Sequence, residues 1–272
     1  MPELPEVETV VNTLKRMIIG EKIIDVEVRW DNIIDKISVM DFKDKLINQT
    51  IRDIKRYGKI IVFILDDYAL LSHLRMEGKF YVDERLDIDK HSHVIFSFAD
   101  HRYLRYHDTR KFGKMSLAPV DDYLNHPFLI KLAKEPFDME VEDLYPKLKK
   151  KSIPIKSALL DQSIMAGLGN IYVDEVLFLS QIHPETKANK ITKKQAQSII
   201  ENAIKVLNKA IELGGTTIRS YTSSLGVHGK FQNELQVHTK VNTPCPVCGT
   251  LITKSQVKGR GTYICHKCQR KK

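Results

Sequence analysis

Cysteine is absent from the first 244 of the 272 residues, so no disulfide framework braces most of this chain, which must fold by burying apolar surface. Long apolar runs are missing too. Stretches such as residues 60–65 fall far short of the roughly 20 residues that a membrane-spanning helix needs. The opening Met1-Pro-Glu-Leu-Pro-Glu6 has neither the positive start nor the apolar stretch of a secretory signal. There is no internal repeat and no low-complexity tract. A soluble, cytoplasmic protein with no membrane partner is the expectation. Acidic residues are scarce in one half only: residues 147–272 hold 7 Asp and Glu against 21 Lys and Arg, whereas residues 1–146 hold 27 against 22.

The net charge of +9 therefore divides into −5 and +14, which points to a polyanionic partner for the second half. The lysine run 147–151 and the tail 270–272 look like ordinary solvated stretches, but the bias survives without them. At 272 residues and 42% hydrophobic content, two domains are favoured over one.

The four cysteines stand as Cys245-Pro-Val-Cys248 and Cys265-His-Lys-Cys268, with 16 residues between the pairs, which is zinc-ribbon spacing. Four thiolates on one hairpin suit a tetrahedral Zn²⁺. Two disulfides or redox motifs are the alternative, disfavoured in a reducing cytosol. One closed, structural Zn²⁺ is expected, holding a hairpin and taking no part in chemistry. Between the knuckles, Lys258-Gly-Arg260-Gly offers two glycines for close backbone approach and a guanidinium fork suited to phosphate.

Apolar residues at Val7, Val10, Val11, Leu14, Met17 and Ile18 predict an amphipathic helix over residues 3–19, ended by Gly20. Alternation then predicts strands, with Ile24, Val26 and Val28 on one face and further runs at 59–65, 70–75, 94–98 and 102–107. Prolines at 119, 127, 136, 146 and 154 interrupt the pattern and suggest short helices leading into a linker. Beyond it, Thr192-Lys-Lys-Gln195 is a capping box that opens a helix ending at Gly214-Gly215, and a shorter helix is predicted over 172–179. Met165-Ala-Gly-Leu-Gly-Asn170 is a glycine-bearing turn entering a helix, where backbone amides can hold phosphate, although such turns are also common plain connectors.

Several ordered segments resemble the bacterial formamidopyrimidine-DNA glycosylases. They are Met1-Pro-Glu-Leu-Pro-Glu-Val-Glu8, Ser72-His-Leu-Arg-Met-Glu-Gly78, Asp108-Thr-Arg-Lys-Phe-Gly113, Gly167-Leu-Gly-Asn-Ile-Tyr172, Gln232-Asn-Glu-Leu-Gln-Val237 and Gly259-Arg-Gly-Thr262. The resemblance covers nearly the whole chain. It implies an α+β protein of two domains: an N-terminal β-sandwich with flanking helices, and a C-terminal helix-two-turns-helix domain carrying a zinc-ribbon hairpin, clasping DNA between them. The expected division is 1–130 for the catalytic sandwich, 131–153 for a linker, 154–236 for the helical domain and 237–272 for the zinc hairpin.

By the same resemblance, the partner is duplex DNA containing oxidised purines, chiefly 8-oxoguanine and formamidopyrimidines, with no nucleotide cofactor and a monomeric enzyme. Pro2 is the implied nucleophile once Met1 is removed, because an acylated proline nitrogen has no lone pair to offer. Glu3 is the implied general acid and base, Glu6 supports it, and Lys59 reaches a phosphate beside the lesion. Met76, Arg110 and Phe112 fill the hole left by the extruded base, as apolar plug, donor fork and flat wedge. His73, Asn170, Lys156 and Arg260, with Lys258 beside it, are the implied DNA-backbone contacts. The loop with Thr216, Thr217, Arg219 and Tyr221 covers the base. A pyrimidine-selective relative of the endonuclease VIII type and a non-catalytic zinc-ribbon nucleic-acid binder are the competing readings; Leu4, Met76, Arg110 and Phe112 together favour the purine-selective branch.

Overall fold

A computed structural model describes residues 1–84, 88–216 and 229–271. The chain forms two compact units, one of residues 1–130 with 216–229, the other of residues 131–215 with 230–272. Residues 131–153, expected as a linker, lie within the second unit and carry a helix.

The first unit opens with α1 (Leu4–Ile18), whose buried Leu4, Val7, Val10, Val11, Leu14 and Ile18 follow the predicted stripe. Pro5 sits in its first turn, where a missing N–H costs nothing. Glu6 reaches back to the Glu3 backbone N–H at 2.9 Å, and Gly20, at φ +87°, turns the chain away after the helix. Then come β1 (Ile23–Val28), α2 (Val39–Leu46), β2 (Asp53–Tyr57), β3 (Ile60–Ile64), β4 (Tyr68–His73), β5 (Lys79–Asp83), β6 (Ser92–Phe98), β7 (Tyr103–His107) and β8 (Lys114–Pro119).

Two antiparallel four-stranded sheets result, in the orders β1-β6-β7-β5 and β2-β3-β4-β8. Their inner faces share one apolar core: Phe63 of β3 meets Phe80 of β5 edge-on at 5.4 Å, and Phe80 meets Tyr106 of β7 at 5.2 Å. This is the expected sandwich, with α1 and α2 contributing Leu14, Phe42 and Leu46 to the same core.

One patterning expectation fails. Ile24 does not join Val26 in the core; it is 48% exposed, because the β1–β6 register shifts between Ile23 and Asp25 and leaves an extra residue unpaired. A bulge of that kind moves a side chain to the other face.

The second unit contains α3 (Val141–Lys149), α4 (Ile155–Leu159), α5 (Asn170–Leu179), α6 (Lys193–Glu212) and the hairpin β9 (Thr253–Val257) with β10 (Arg260–Ile264). Thr192 and Gln195 form the predicted capping box at the start of α6. At its end the Gly215 N–H bonds the Ala210 carbonyl at 2.7 Å and the Gly214 N–H bonds that of Ile211 at 3.0 Å, a Schellman cap that uses positive φ at both glycines. Among the described residues no helix is long and apolar enough to cross a membrane.

Candidate active site and nucleic-acid interface

In the first unit, Pro2 and Glu3 are buried at the mouth of α1, with Glu3 only 3% exposed. Glu3 is the helix N-cap and holds an extended backbone there. The Met1 amine is held below its ordinary pKa by burial, the leading cause, while Glu3, Glu6 and Glu77 act on it in the opposite sense and Lys59 adds to the depression. The chain start therefore lies among the residues that the sequence had singled out. Lys59 is 5% exposed and sits in the β2–β3 turn just ahead of the apolar strand.

Glu6 is more fully committed than a supporting acid. One of its oxygens takes the Glu3 N–H, and the other takes the Thr216 N–H at 2.8 Å and the Thr216 hydroxyl at 3.0 Å. Its carboxylate thereby joins the Glu3 backbone to Thr216. Thr217, Arg219 and Tyr221 lie outside the described residues.

His73 ends β4, and its Nδ1 accepts the Arg75 N–H at 3.0 Å. The ring proton therefore resides on Nε2. Burial first, then the charges of Arg75 and Lys59, push its pKa down to about 3, so the ring is a neutral donor at physiological pH. A neutral N–H donor suits a phosphate oxygen.

Met76 and the Arg110–Phe112 pair lie on two neighbouring loops. Phe112 is 50% exposed, and the Arg110 guanidinium lies over its ring at 4.8 Å from the centroid. A half-exposed phenylalanine is not core. What holds it out is Asp108, a residue the sequence reading left without a role. Its carboxylate is fully buried and accepts the N–H groups of Arg110, Phe112 and Gly113 at 2.9, 2.9 and 2.8 Å. The Thr109 hydroxyl bonds the Glu77 carboxylate and so ties this loop to the one bearing Met76. Glycine is required on both loops: a Cβ on Gly113 would lie 1.8 Å from the Tyr106 hydroxyl, and one on Gly78 2.1 Å from the same atom. The signal in the sequence was an Asp two residues before the arginine with a glycine closing the segment, an Asx-type nest.

In the second unit, Asn170 is the first residue of α5, behind Gly169 as N-cap, and its Nδ2 donates to the Gly261 carbonyl at 3.0 Å. Gln162 fastens the preceding turn, accepting the Gly167 N–H at 2.9 Å and donating to the Leu168 carbonyl at 3.0 Å. The β9–β10 turn is a two-residue one with Lys258 at φ +49° and Gly259 at φ +76°, the twist-matched hairpin geometry. Lys258 and Arg260 are exposed at its tip.

Lys156 corrects the expectation of a phosphate contact. Its side chain is entirely buried, and its ammonium donates to Asp174 Oδ1 at 2.8 Å, the Gly261 carbonyl at 2.8 Å and Thr262 Oγ1 at 2.9 Å. An ammonium has three protons, and all are used. The other Asp174 oxygen pairs with His238 Nδ1 at 2.8 Å, and the adjacent Glu175 accepts the N–H groups of Gln236, Val237 and His238. Asp174, Glu175 and His238 escaped the sequence reading because buried charges in an apolar helix carry no periodic signature.

The four cysteine sulfurs lie within 4.8 Å of one another, with Cys245 and Cys268 at 3.8 Å and Cys248 and Cys265 at 3.4 Å. Zn–S bonds of about 2.3 Å in a tetrahedron place sulfurs about 3.8 Å apart, so the set fits one structural Zn²⁺. The buried Gln269 accepts the Cys265 N–H and donates to the Ile182 carbonyl at 3.0 Å, fastening the knuckle to the end of α5.

Comparison with known proteins accords with this geometry. Residues 1–115 match the formamidopyrimidine-DNA glycosylase N-terminal domain, 132–222 its H2TH domain, and 243–270 the zinc finger found in FPG and IleRS. The formamidopyrimidine-DNA glycosylase of Bacillus licheniformis is 48% identical over 100% of both chains, and that of Mycoplasma mobile 46% identical over 99% of both. The Lactococcus lactis Fpg bound to DNA containing an abasic site superposes with a TM-score of 0.93 at 43% identity, covering 99% of this chain and 100% of that one. MutM bound to DNA containing a carbocyclic 8-oxo-G gives 0.92 at 42% identity, over 99% of this chain and 100% of that one. With all three domains matched in order along its length, the chain belongs to the formamidopyrimidine-DNA glycosylase family.

Proposed function

We propose that this enzyme removes oxidised purines, 8-oxoguanine and formamidopyrimidines, from duplex DNA through Pro2 and then cleaves the abasic strand by β,δ-elimination, acting as a monomer. The observation that carries the reading is the burial of Pro2 and Glu3 at the chain start, beside Lys59 and under charges that act directly on the terminal amine. Relatives of the same length are described in complex with DNA bearing such lesions or abasic sites.

Removal of Met1 makes Pro2 a free secondary amine. Its lone pair attacks C1′ of the lesion nucleotide, and the base departs with the electrons of the glycosidic bond and takes up a proton. Glu3 protonates the ring oxygen O4′ as the sugar opens, and the nitrogen's remaining proton is lost as the Pro2–C1′ iminium forms. The iminium acidifies C2′–H; loss of that proton expels the 3′ phosphate, and a second elimination expels the 5′ phosphate. Water then releases the sugar fragment from Pro2. A proline iminium is cationic without any further protonation, so it remains an electron sink at neutral pH. Around this chemistry, Lys59, His73, Asn170 and Arg260 grip phosphates, while Met76, Arg110 and Phe112 occupy the space of the extruded base.

The test is borohydride trapping on a duplex with 8-oxoguanine opposite cytosine. A covalent protein–DNA adduct is expected, together with its loss in Pro2→Gly. Absence of an adduct with the processed wild-type protein refutes the mechanism. Stronger trapping on 5-hydroxycytosine or thymine glycol refutes the purine assignment while leaving Pro2 in place.

A further inference from the structure

A cavity of about 350 Å³ opens in the second unit where the turn after α5, the segment before α6 and the end of the zinc knuckle meet. Its wall carries Gln181, His183, Thr186, Lys190, Gln195 and Arg270, with Ile182 as the one apolar side chain. Among the described residues, two full positive charges and several neutral donors line it, and no carboxylate does. The nearby Glu185 is paired with Lys271 at 2.8 Å.

The wall is built rather than accidental in three respects. The chain on either side of the exposed Arg270 is anchored: Gln269 is fully buried and bonded to the Cys265 N–H and the Ile182 carbonyl, and Lys271 pairs with Glu185. His183 is 5% exposed, and its Nδ1 accepts the Glu185 N–H at 3.2 Å, so the ring proton sits on Nε2. Gln181 occupies the left-handed position that closes α5, at φ +55°, where its N–H bonds the Phe178 carbonyl and the Ile182 N–H bonds that of Leu177. Glycine is the residue that position favours. A glutamine there gives up cap stability and places an amide on the cavity wall.

We propose that this cavity is a phosphate-binding site, with Lys190 and Arg270 supplying charge at its rim and His183, Thr186 and the two glutamines supplying neutral donors. It lies at the knuckle end of the zinc hairpin. Arg260 stands at the opposite end of β10, and the four steps from Arg260 to Ile264 at about 3.3 Å each put roughly 13 Å between the two ends. The site is thus separate from the phosphate grip assigned to Arg260 and Asn170. Its occupant is a phosphate group, either a free monoester or a diester of a DNA backbone. Because Arg270 stands two residues beyond Cys268, an ordered site requires the metal.

The experiment uses the full-length, zinc-loaded protein titrated with inorganic phosphate, followed by NMR of the His183 and Arg270 side-chain resonances. Saturable shifts are expected in the millimolar range or tighter, weakened at least tenfold in Lys190→Glu and in Arg270→Glu. Gln181→Gly guards against misfolding, since glycine suits that backbone; it should weaken phosphate binding while raising thermal stability. Salt-dependent binding to a non-specific 30-base-pair duplex separates the sources. A slope shallower by about 1 in Arg270→Glu assigns the site to DNA diester, and an unchanged slope assigns it to a monoester. No saturable shift up to about 50 mM phosphate overturns the proposal, being weaker than any useful affinity. So do shifts of equal size in wild type and all three variants.

Discussion

Replacing Lys156 by methionine separates two roles that a lysine of the DNA-binding half could play. Methionine keeps the aliphatic stem and deletes the three ammonium donors. Asp174 then keeps only His238, and the Gly261 carbonyl keeps only Asn170 of the bonds described above. Removing one member of a buried pair leaves an uncompensated charge and costs about 3–5 kcal/mol. For a unit of about 130 residues, this corresponds to a melting temperature lower by about 10–20 °C. Calorimetry on the zinc-loaded protein reads that loss directly. A buried lysine touches no phosphate, so the slope of log affinity against log salt should match wild type. Adding Asp174→Asn should recover at least half of the lost stability, because the stranded carboxylate is the source of the cost. A melting point within about 2 °C of wild type, together with a slope shallower by about 0.9, would mean that Lys156 meets DNA after all and would refute the argument.

Four other outcomes follow from the same geometry. Asp108→Ala strands three backbone N–H groups and should lower excision more than tenfold while the N-terminal unit stays folded, read by single-turnover kinetics beside circular dichroism. Gly113→Ala should be at least as damaging, since its methyl group would overlap the Tyr106 hydroxyl; normal activity there would show that the loop shifts at no cost. His73 has a folded pKa of about 3 against 6.5 unfolded, so the unfolded chain binds a proton that the folded one refuses; stability present above about pH 6.5 should decline by about 1.4 kcal/mol per unit toward pH 3. His73→Gln should flatten that part of the pH–stability curve, and parallel curves would count against the burial argument. Stripping zinc should abolish tight DNA binding while the first unit keeps its own melting transition, and retained nanomolar affinity would contradict this.

Much of the architecture was legible because periodicity reports burial on one face. The stripe on α1, the Thr192 capping box, the Gly214-Gly215 cap and the cysteine spacing each translated into one local geometry. The strands β2, β5 and β8 did not show themselves. β2 reads Asp-Ile-Lys-Arg-Tyr, with Ile54 as its one fully buried side chain, so no alternation of apolar residues is visible. α2 was missed for a related reason: eight residues with Phe42 and Leu46 as the buried pair make too short a stripe. At Ile24 the pattern was present and misleading, because a bulge is a property of strand pairing across some 70 residues and leaves no local mark.

The site divides along the same line. Residues proposed to meet DNA were singled out through their chemical type, and those that hold them were not. Phe112 and Arg110 were named, while Asp108, which fixes their backbone, was passed over; Arg260 was named, while Asp174 beneath its hairpin was passed over. Lys156 was misassigned for this reason, since a lysine in a basic half has the chemistry of a phosphate ligand and only its burial reveals a structural role. The consequence is physical. A wedge of the kind proposed for Phe112 cannot be allowed to collapse into its own protein, and a half-exposed phenylalanine beside an apolar core would do so unless the backbone were held. Three N–H bonds to one buried carboxylate, and two glycines pressed against one tyrosine hydroxyl, supply that restraint before DNA arrives. The ordering entropy is thereby met during folding instead of at the moment of binding, which leaves more of the binding energy for the base extrusion proposed above.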